Sequence, residues 1–451
     1  MAKSKYLTAP IPSEKMPAGI PYILTNEAAE RFAFYGMSAI LVMFMTHHLV
    51  DRSGALSVMG GAEANKWFFG FNAAVYFMTL AALISDIWLG KYKTIISFSI
   101  VYCLGFLVLV LDQTRLGLKI GLTLIAIGSG IIKPCVSANV GDQFGKTNQH
   151  LIPKVYSWFY FAINLGACIS MLLCPWLRSN YGPRMAFGVP GVFMLLATIT
   201  FGLGRKKFVH IPPAGFDSVR KTLDSEGLKS LARLCLIYVF VAMFFALFYQ
   251  SQSAWVLQAE RMNLKWLWIT WLPDQIQFVN SLLVMIMIPL FAYVIYPAIN
   301  KTFRLTALSK ISIGLFVTVL SFVVAALIET RITSGGCPSI GWQFLAYVIL
   351  TAAEIMVSIT CLEFSYTQAP KKMKSFIMAL FLLSISAGNA IAFVVNWFIQ
   401  NADGSSKLPG ASYYWFFTIA MLVTAVLFIP VAKRYHAQSY IQDEAPAEAT
   451  S

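Results

Sequence analysis

The chain has 451 residues, of which 58% are hydrophobic and only 12% charged, against about a quarter charged in soluble domains. Its formal net charge is +14. Apolar stretches of eighteen or more residues recur from end to end, which excludes an ordinary water-soluble protein and points to a polytopic membrane protein.

Residues 1–20 are polar, with no apolar core before Ile20, which argues against a cleaved signal peptide. Apolar spans follow near 22–48, 66–88, 94–111, 118–139, 155–177 and 185–204. A polar, basic stretch at 205–233 separates them from spans near 234–256, 274–296, 310–329, 342–364, 376–400 and 412–432. No alternating strand pattern interrupts them, so the spans are read as helices, which satisfy their own backbone groups in hydrocarbon. The expected class is an all-α integral membrane protein of about twelve helices. Its expected organisation is a cytoplasmic segment (1–20), a six-helix bundle (21–204), a linker (205–233), a second bundle (234–432) and a disordered tail (433–451). With both termini placed in the cytoplasm, inner segments hold 22 of the 34 Lys and Arg and outer loops ten. That asymmetry supports this orientation and accounts for the basic charge without nucleic acid. The seven cysteines form no CxxC pair or zinc spacing, so neither a disulfide framework nor a metal site is expected.

Ionisable residues inside spans carry the chemistry, because each costs roughly 2.5–3.5 kcal/mol on insertion scales. The first span contains Glu27, Glu30, Arg31 and Tyr35. At about 100° per residue these share one helix face. Glu27 and Arg31 stand four apart and pair along the helix, which leaves one carboxylate for a partner elsewhere. Lys133 in the fourth span is that candidate. A purely architectural ion cluster is one reading. The other is a proton switch, in which protonating a carboxylate breaks a pair, and intramembrane charges mark ion or substrate paths by default. Glu354 stands alone in the tenth span, one turn before Ser358.

Polar and aromatic residues in other spans add a second layer: Tyr76, Tyr160, Asn164, Asn280 and Trp397, with Phe245 and Trp255 beside them. Singly each fits ordinary helix packing. Together with Arg31, Lys133 and Glu354 they describe a cavity with a cationic end, an anionic end and apolar walls, suited to a small zwitterion with varied side chains.

Glu27 to Gly36 reads EAAERFAFYG and resembles the ExxERFxYYG motif of the proton-coupled oligopeptide transporters. Residues 84–95, 128–144, 159–166, 245–258 and 363–375 are similar to further segments of that family. The resemblance implies the major facilitator fold, alternating access, and import of di- and tripeptides driven by protons, with no cofactor and no enzymatic step. It implies a coupling cluster of Glu27, Glu30, Arg31 and Lys133. It implies a peptide site of Arg31, Tyr35, Lys133, Asn164 and Asn280, completed by Tyr160 and Ser358, with Glu354 facing the peptide amino group. The implied setting is the plasma (inner) membrane.

The chain departs from the family in places. Ser38 stands where many members carry a second basic residue, and Tyr249 where many carry an acid. Both charges of a presumed pair are thus missing together, which reads as replacement by a neutral gate. The second span lacks the family proline and any histidine. Three alternatives remain open at this level. One is the same fold carrying another small organic ion, such as an amino acid or nitrate. Another is a non-transporting peptide sensor. The last is a membrane enzyme, against which stands the lack of HExxH, GxSxG or clustered metal ligands, with the adjacent His47 and His48 pointing to different helix faces.

Overall fold

The computed structural model describes residues 6–82, 85–213, 225–302, 304–368, 374–401 and 406–435. Parts of the expected linker and tail, and residues 369–373 of one family-like segment, lie outside them. Among the described residues twelve helices are long and apolar enough to cross a membrane. They are α1 (Ile20–His47), α2 (Gly61–Leu89), α3 (Lys91–Leu111), α4 (Arg115–Asp142), α5 (Lys154–Tyr181) and α6 (Pro183–Lys206), then α7 (Leu231–Ala259), α8 (Gln275–Asn300), α9 (Ala307–Thr333), α10 (Gly341–Ser365), α11 (Ile377–Ile399) and α12 (Ala411–Arg434). An even number of crossings brings both ends of the chain to one side. That side is called proximal below, and the opposite one distal.

Turn chemistry sets where the helices stop. Gly182, at φ 82°, closes α5 in a conformation that only glycine adopts freely, and Pro183 then opens α6. Thr306 caps α9 through a reciprocal box with Ser309. A short hairpin between α7 and α8 pairs Lys265 and Trp266 with Thr270 and Ile269. Its turn residues Leu267 and Trp268 both hold positive φ, and Trp266 packs its ring on Phe344 of α10.

Within each half the apolar faces merge into a shared core, as in α1 against α5 and α6, or α9 against α10 and α12. The halves meet through α2 against α11 and α5 against α8. Outside these contacts a belt of Leu, Ile, Val and aromatic side chains stays exposed, as lipid-facing surface requires.

Three helices that carry site residues lose α-geometry beside them. After Tyr76, α2 tightens into a 3-10 turn over Met78–Ala82, and Thr79 donates to the Tyr76 carbonyl at 2.6 Å. At Tyr249–Gln252, α7 becomes 3-10, and Ser253 takes φ −137°, ψ −84°. Carbonyls in and beyond this break are recovered by side chains: Ser251 O accepts from the Tyr347 hydroxyl at 2.6 Å, Ala254 O from Tyr414 at 2.9 Å and Trp255 O from Gln343 at 2.8 Å. Such replacement partners are what permits irregular backbone at membrane depth. Directly after Glu354, α10 widens into a π turn over Ile355–Ile359, which contains Ser358.

Candidate functional site

The charged residues of α1 form a buried cluster with α4. Arg31 Nε lies 3.0 Å from Glu27 Oε1, and its Nη2 lies 2.5 Å from Glu30 Oε2. The other oxygen of Glu30 faces Lys133 Nζ at 3.7 Å. Glu30 is thus the bridge between the two cations. Among the described residues Arg31 Nε and Glu30 Oε2 have no aligned hydrogen bond, so both are held by charge contact rather than by directed bonds. Lys133 also donates to Ser129 at 2.5 Å, and its ammonium lies 3.5 Å from the centre of the Phe34 ring. Glu27, Glu30 and Arg31 are 4%, 1% and 6% exposed.

Local sequence explains this geometry. The acids and Arg31 follow at three- and four-residue spacing on one face of α1. Ser129 and Lys133 are four apart on α4, and Pro134 directly after removes a backbone N–H from that turn. Gly166 on α5 lets the two backbones touch at the motif. A Cβ there would lie 2.6 Å from Ala28 O and 3.1 Å from Phe32 N.

The second half contributes Glu354. Its Oε2 accepts from Asn280 Nδ2 at 2.7 Å, and Asn280 is also bonded to Thr351 at 3.1 Å. Among the described residues Glu354 has no ion-pair partner. Tyr35 stands within electrostatic reach of Arg31 on one side and Glu354 on the other. Tyr160 is 40% exposed and lies within reach of Glu354, while Asn164 bonds its side-chain amide back to the Tyr160 carbonyl at 3.0 Å. The structure therefore brings Glu27, Glu30, Arg31, Tyr35 and Lys133 together in one half. It places Asn280, Glu354 and Ser358 in the other, with Tyr160 of α5 within electrostatic reach of Glu354.

Trp397 differs from expectation. It is 59% exposed, on the same stripe of α11 as Ile391 and Val394, and packs on Phe398 near the distal end. That position suits an interfacial anchor rather than a binding residue. Trp255 is fully buried, packed between Phe322 and Tyr347 in the second half. Tyr76 instead joins the seam between halves, where Tyr249 donates to its hydroxyl at 2.6 Å. Ser38 does not meet Tyr249. It donates to Gln252 Oε1 at 3.3 Å, so the two replaced positions each cross the seam to a different partner.

The sequence reading missed the distal part of this seam. Arg178 at the end of α5 holds Asp274, and its Nη1 lies 3.3 Å from His48 Nε2. Gln277 donates to Ala39 O at 3.0 Å, His47 meets Glu260 at 2.7 Å and Lys66 meets Gln400 at 2.6 Å. Burial raises the Asp274 carboxyl against the pull of Arg178, and burial with Arg178 and His47 lowers His48. No local signal marks these pairs, since their members lie about a hundred residues or more apart. Ser129 and Phe34 were also missed, and there helical spacing to Lys133 and Glu30 was the available signal.

Chains of known kind share this arrangement of helices. A family model described as the POT family matches residues 92–223 and 215–416. Solute carrier family 15 member 2 of Rattus norvegicus is 35% identical over 77% of this chain and 53% of its own length. Peptide transporter family 1 of Drosophila melanogaster is 36% identical over 72% of this chain and 49% of its own. The chain thus spans about half the length of the curated relatives it matches. Among solved structures, the POT family transporter PepTSo is 34% identical with a TM-score of 0.84, covering 93% of this chain and 98% of that one. An auto-inhibited POT family peptide transporter is 31% identical at the same TM-score, covering 95% and 99%. With the family model over most of the chain and relatives above the level at which folds diverge, the protein is a multi-pass membrane protein with the major facilitator fold and belongs to the POT family.

Proposed function

We propose that this chain imports di- and tripeptides in symport with protons, across the plasma membrane, with both termini cytoplasmic and the distal side outside. The relatives named as peptide transporters support the cargo. The observation that carries the mechanism is the charge balance of the buried cluster. Glu27 and Glu30 face Arg31 and Lys133, so the fully ionised cluster is neutral.

A neutral cluster has little attraction for a peptide carboxylate. One proton on Glu30 changes that. It releases Lys133 and loosens Arg31, leaving one net positive charge in a site shielded from water. A carboxylate is then bound by the freed cation, and low local dielectric strengthens the pair. Proton and peptide thus favour each other by linkage, and each raises the affinity for the other by the same factor. Glu354, oriented by Asn280, receives the peptide amino group across the site. In this reading Tyr35 and Tyr160, both within electrostatic reach of Glu354, border the bound peptide.

The halves are tied towards the distal side by Arg178–Asp274, Gln277–Ala39 and Ser38–Gln252, and deeper along the seam by Tyr249–Tyr76. In this reading the structure is the state closed to the outside. Occupation of the site moves the population between this state and an outward-open one, by as much as its affinity differs between them.

The test is uptake of labelled dialanine by the purified protein in liposomes, with unlabelled dipeptides, single amino acids and nitrate as competitors. Competition by dipeptides alone supports the proposal. Competition by amino acids or nitrate assigns another cargo, and binding without uptake assigns a sensor.

A further inference from the structure

The lipid-facing surface carries a groove between α7 and α12 at the proximal end, with a volume of about 650 Å³. Two stripes line it. On α7, Arg233, Leu236 and Phe240 follow at helical spacing, and on α12, Leu427 and Arg434 do the same. The two helices run in opposite directions, so both guanidiniums lie at the proximal mouth. From there the apolar walls reach about 10 Å inward, by the rise of seven helical residues.

Several features set this groove apart from ordinary surface. Leu236 and Leu427 are 49% and 55% exposed, and the α12 wall continues the exposed stripe of Ile419, Val423 and Val426. The groove therefore opens sideways into the bilayer rather than into the site between the halves. Its inner wall is made by the Phe240 ring, packed edge-on against Phe428 at 5.4 Å. Tyr435, next after Arg434, lines the same groove and packs its ring against Phe364. Burial pushes its hydroxyl up to about 12, against the opposing pull of the Arg233 guanidinium.

A single arginine at a helix end needs only to reach the headgroup region. Two arginines from different helices, converging over one apolar cleft, present a different surface. Guanidinium forks match phosphate oxygens in pairs, and an open cleft at this depth is filled by hydrocarbon. Basic pockets between helices on the proximal side, which carries most of the chain's Lys and Arg, attract acidic headgroups. We propose that this groove is a binding site for an anionic phospholipid, with its phosphate between Arg233 and Arg434 and one acyl chain along Leu236, Phe240 and Leu427. The lipid bridges the first and last helices of the second half.

The test uses the full purified chain in detergent. Native mass spectrometry reads the lipid retained, and thermal unfolding reads the stabilisation, with phosphatidylglycerol or phosphatidylcholine of identical chains. Wild type should retain phosphatidylglycerol preferentially and gain thermal stability from it. Arg233→Gln with Arg434→Gln should cut retention by about five-fold for each arginine and remove the gain. Arg233→Lys with Arg434→Lys should keep most of the preference. If the glutamine variant does not fold, Leu427→Trp fills the cleft with both arginines in place and should lower retention by itself. Equal retention of the two lipids, full retention in the glutamine variant, or the same stabilisation from inorganic phosphate would each overturn the proposal.

Discussion

Arg178 grips Asp274 across the seam between the two halves, through Nε to Oδ2 at 2.9 Å and Nη2 to Oδ1 at 3.1 Å. Asp274 is fully buried and Arg178 is 8% exposed. Removing one partner of such a pair leaves an uncompensated buried charge, at a typical cost of 3–5 kcal/mol. Asp274→Ala should therefore weaken the contact between the halves and expose the seam from the distal side. Distal-side labelling of a cysteine at Ala39, in a background without the exposed Cys235 and Cys337, should rise several-fold. The double variant Arg178→Met with Asp274→Leu should be milder than either single change, and unchanged labelling in Asp274→Ala would remove this pair from the seal.

His48 makes the seal sensitive to acid. Burial, Arg178 and His47 hold its pKa below the usual 6.5 in the closed state. The closed state thus prefers the neutral ring. The group costs the seal nothing above pH 6.5, and its penalty grows as pH falls through that value towards the lowered one. Acid on the distal side then favours opening there. Burial also raises the Asp274 carboxyl, against the pull of Arg178. His48→Gln should flatten the rise in Ala39-site labelling between pH 7.5 and 5.5.

Ser38 and Tyr249 each found a separate partner. Ser38 is fully buried against Gln252, so Ser38→Arg introduces an unpaired cation and should abolish most uptake. Because Gln252 is the neighbour, Ser38→Arg with Gln252→Glu should recover more uptake than Ser38→Arg with Tyr249→Glu. The reverse order of recovery would show that the old pairing geometry persists.

Gly166→Ala places a methyl group 2.6 Å from Ala28 O. The backbones of α1 and α5 must separate beside the Glu27–Arg31 cluster, at a typical cost of about 1–3 kcal/mol. A lower thermal midpoint with weakened dipeptide affinity is expected; a midpoint unchanged within error would mean the helices have slack that this contact denies.

Much of this was legible in the sequence. The expected first span, 22–48, differs from Ile20–His47 by two residues and one, because a long apolar run flanked by polar segments has few places to begin and end. Glu27, Glu30 and Arg31 announced themselves by cost and spacing, and Lys133 by charge bookkeeping. Contacts set by tertiary packing were not legible. Arg178 was counted as a loop charge, yet α5 runs to Tyr181 and delivers it to Asp274. Trp397 looked like a wall residue because composition alone does not tell which stripe of an apolar helix faces lipid. The π turn after Glu354 and the break at Tyr249–Gln252 have no local breaker to betray them, and at the break the Ser251 carbonyl is satisfied by the distant Tyr347.

The central claim is that Glu30 couples the proton to the peptide. It is tested most directly by dialanine uptake in liposomes with and without an inward proton gradient, for wild type and Glu30→Gln, beside peptide exchange without a gradient. The account predicts that the gradient drives accumulation in wild type, and that Glu30→Gln loses accumulation while still exchanging peptide. Gradient-driven accumulation by Glu30→Gln at the wild-type level would contradict it.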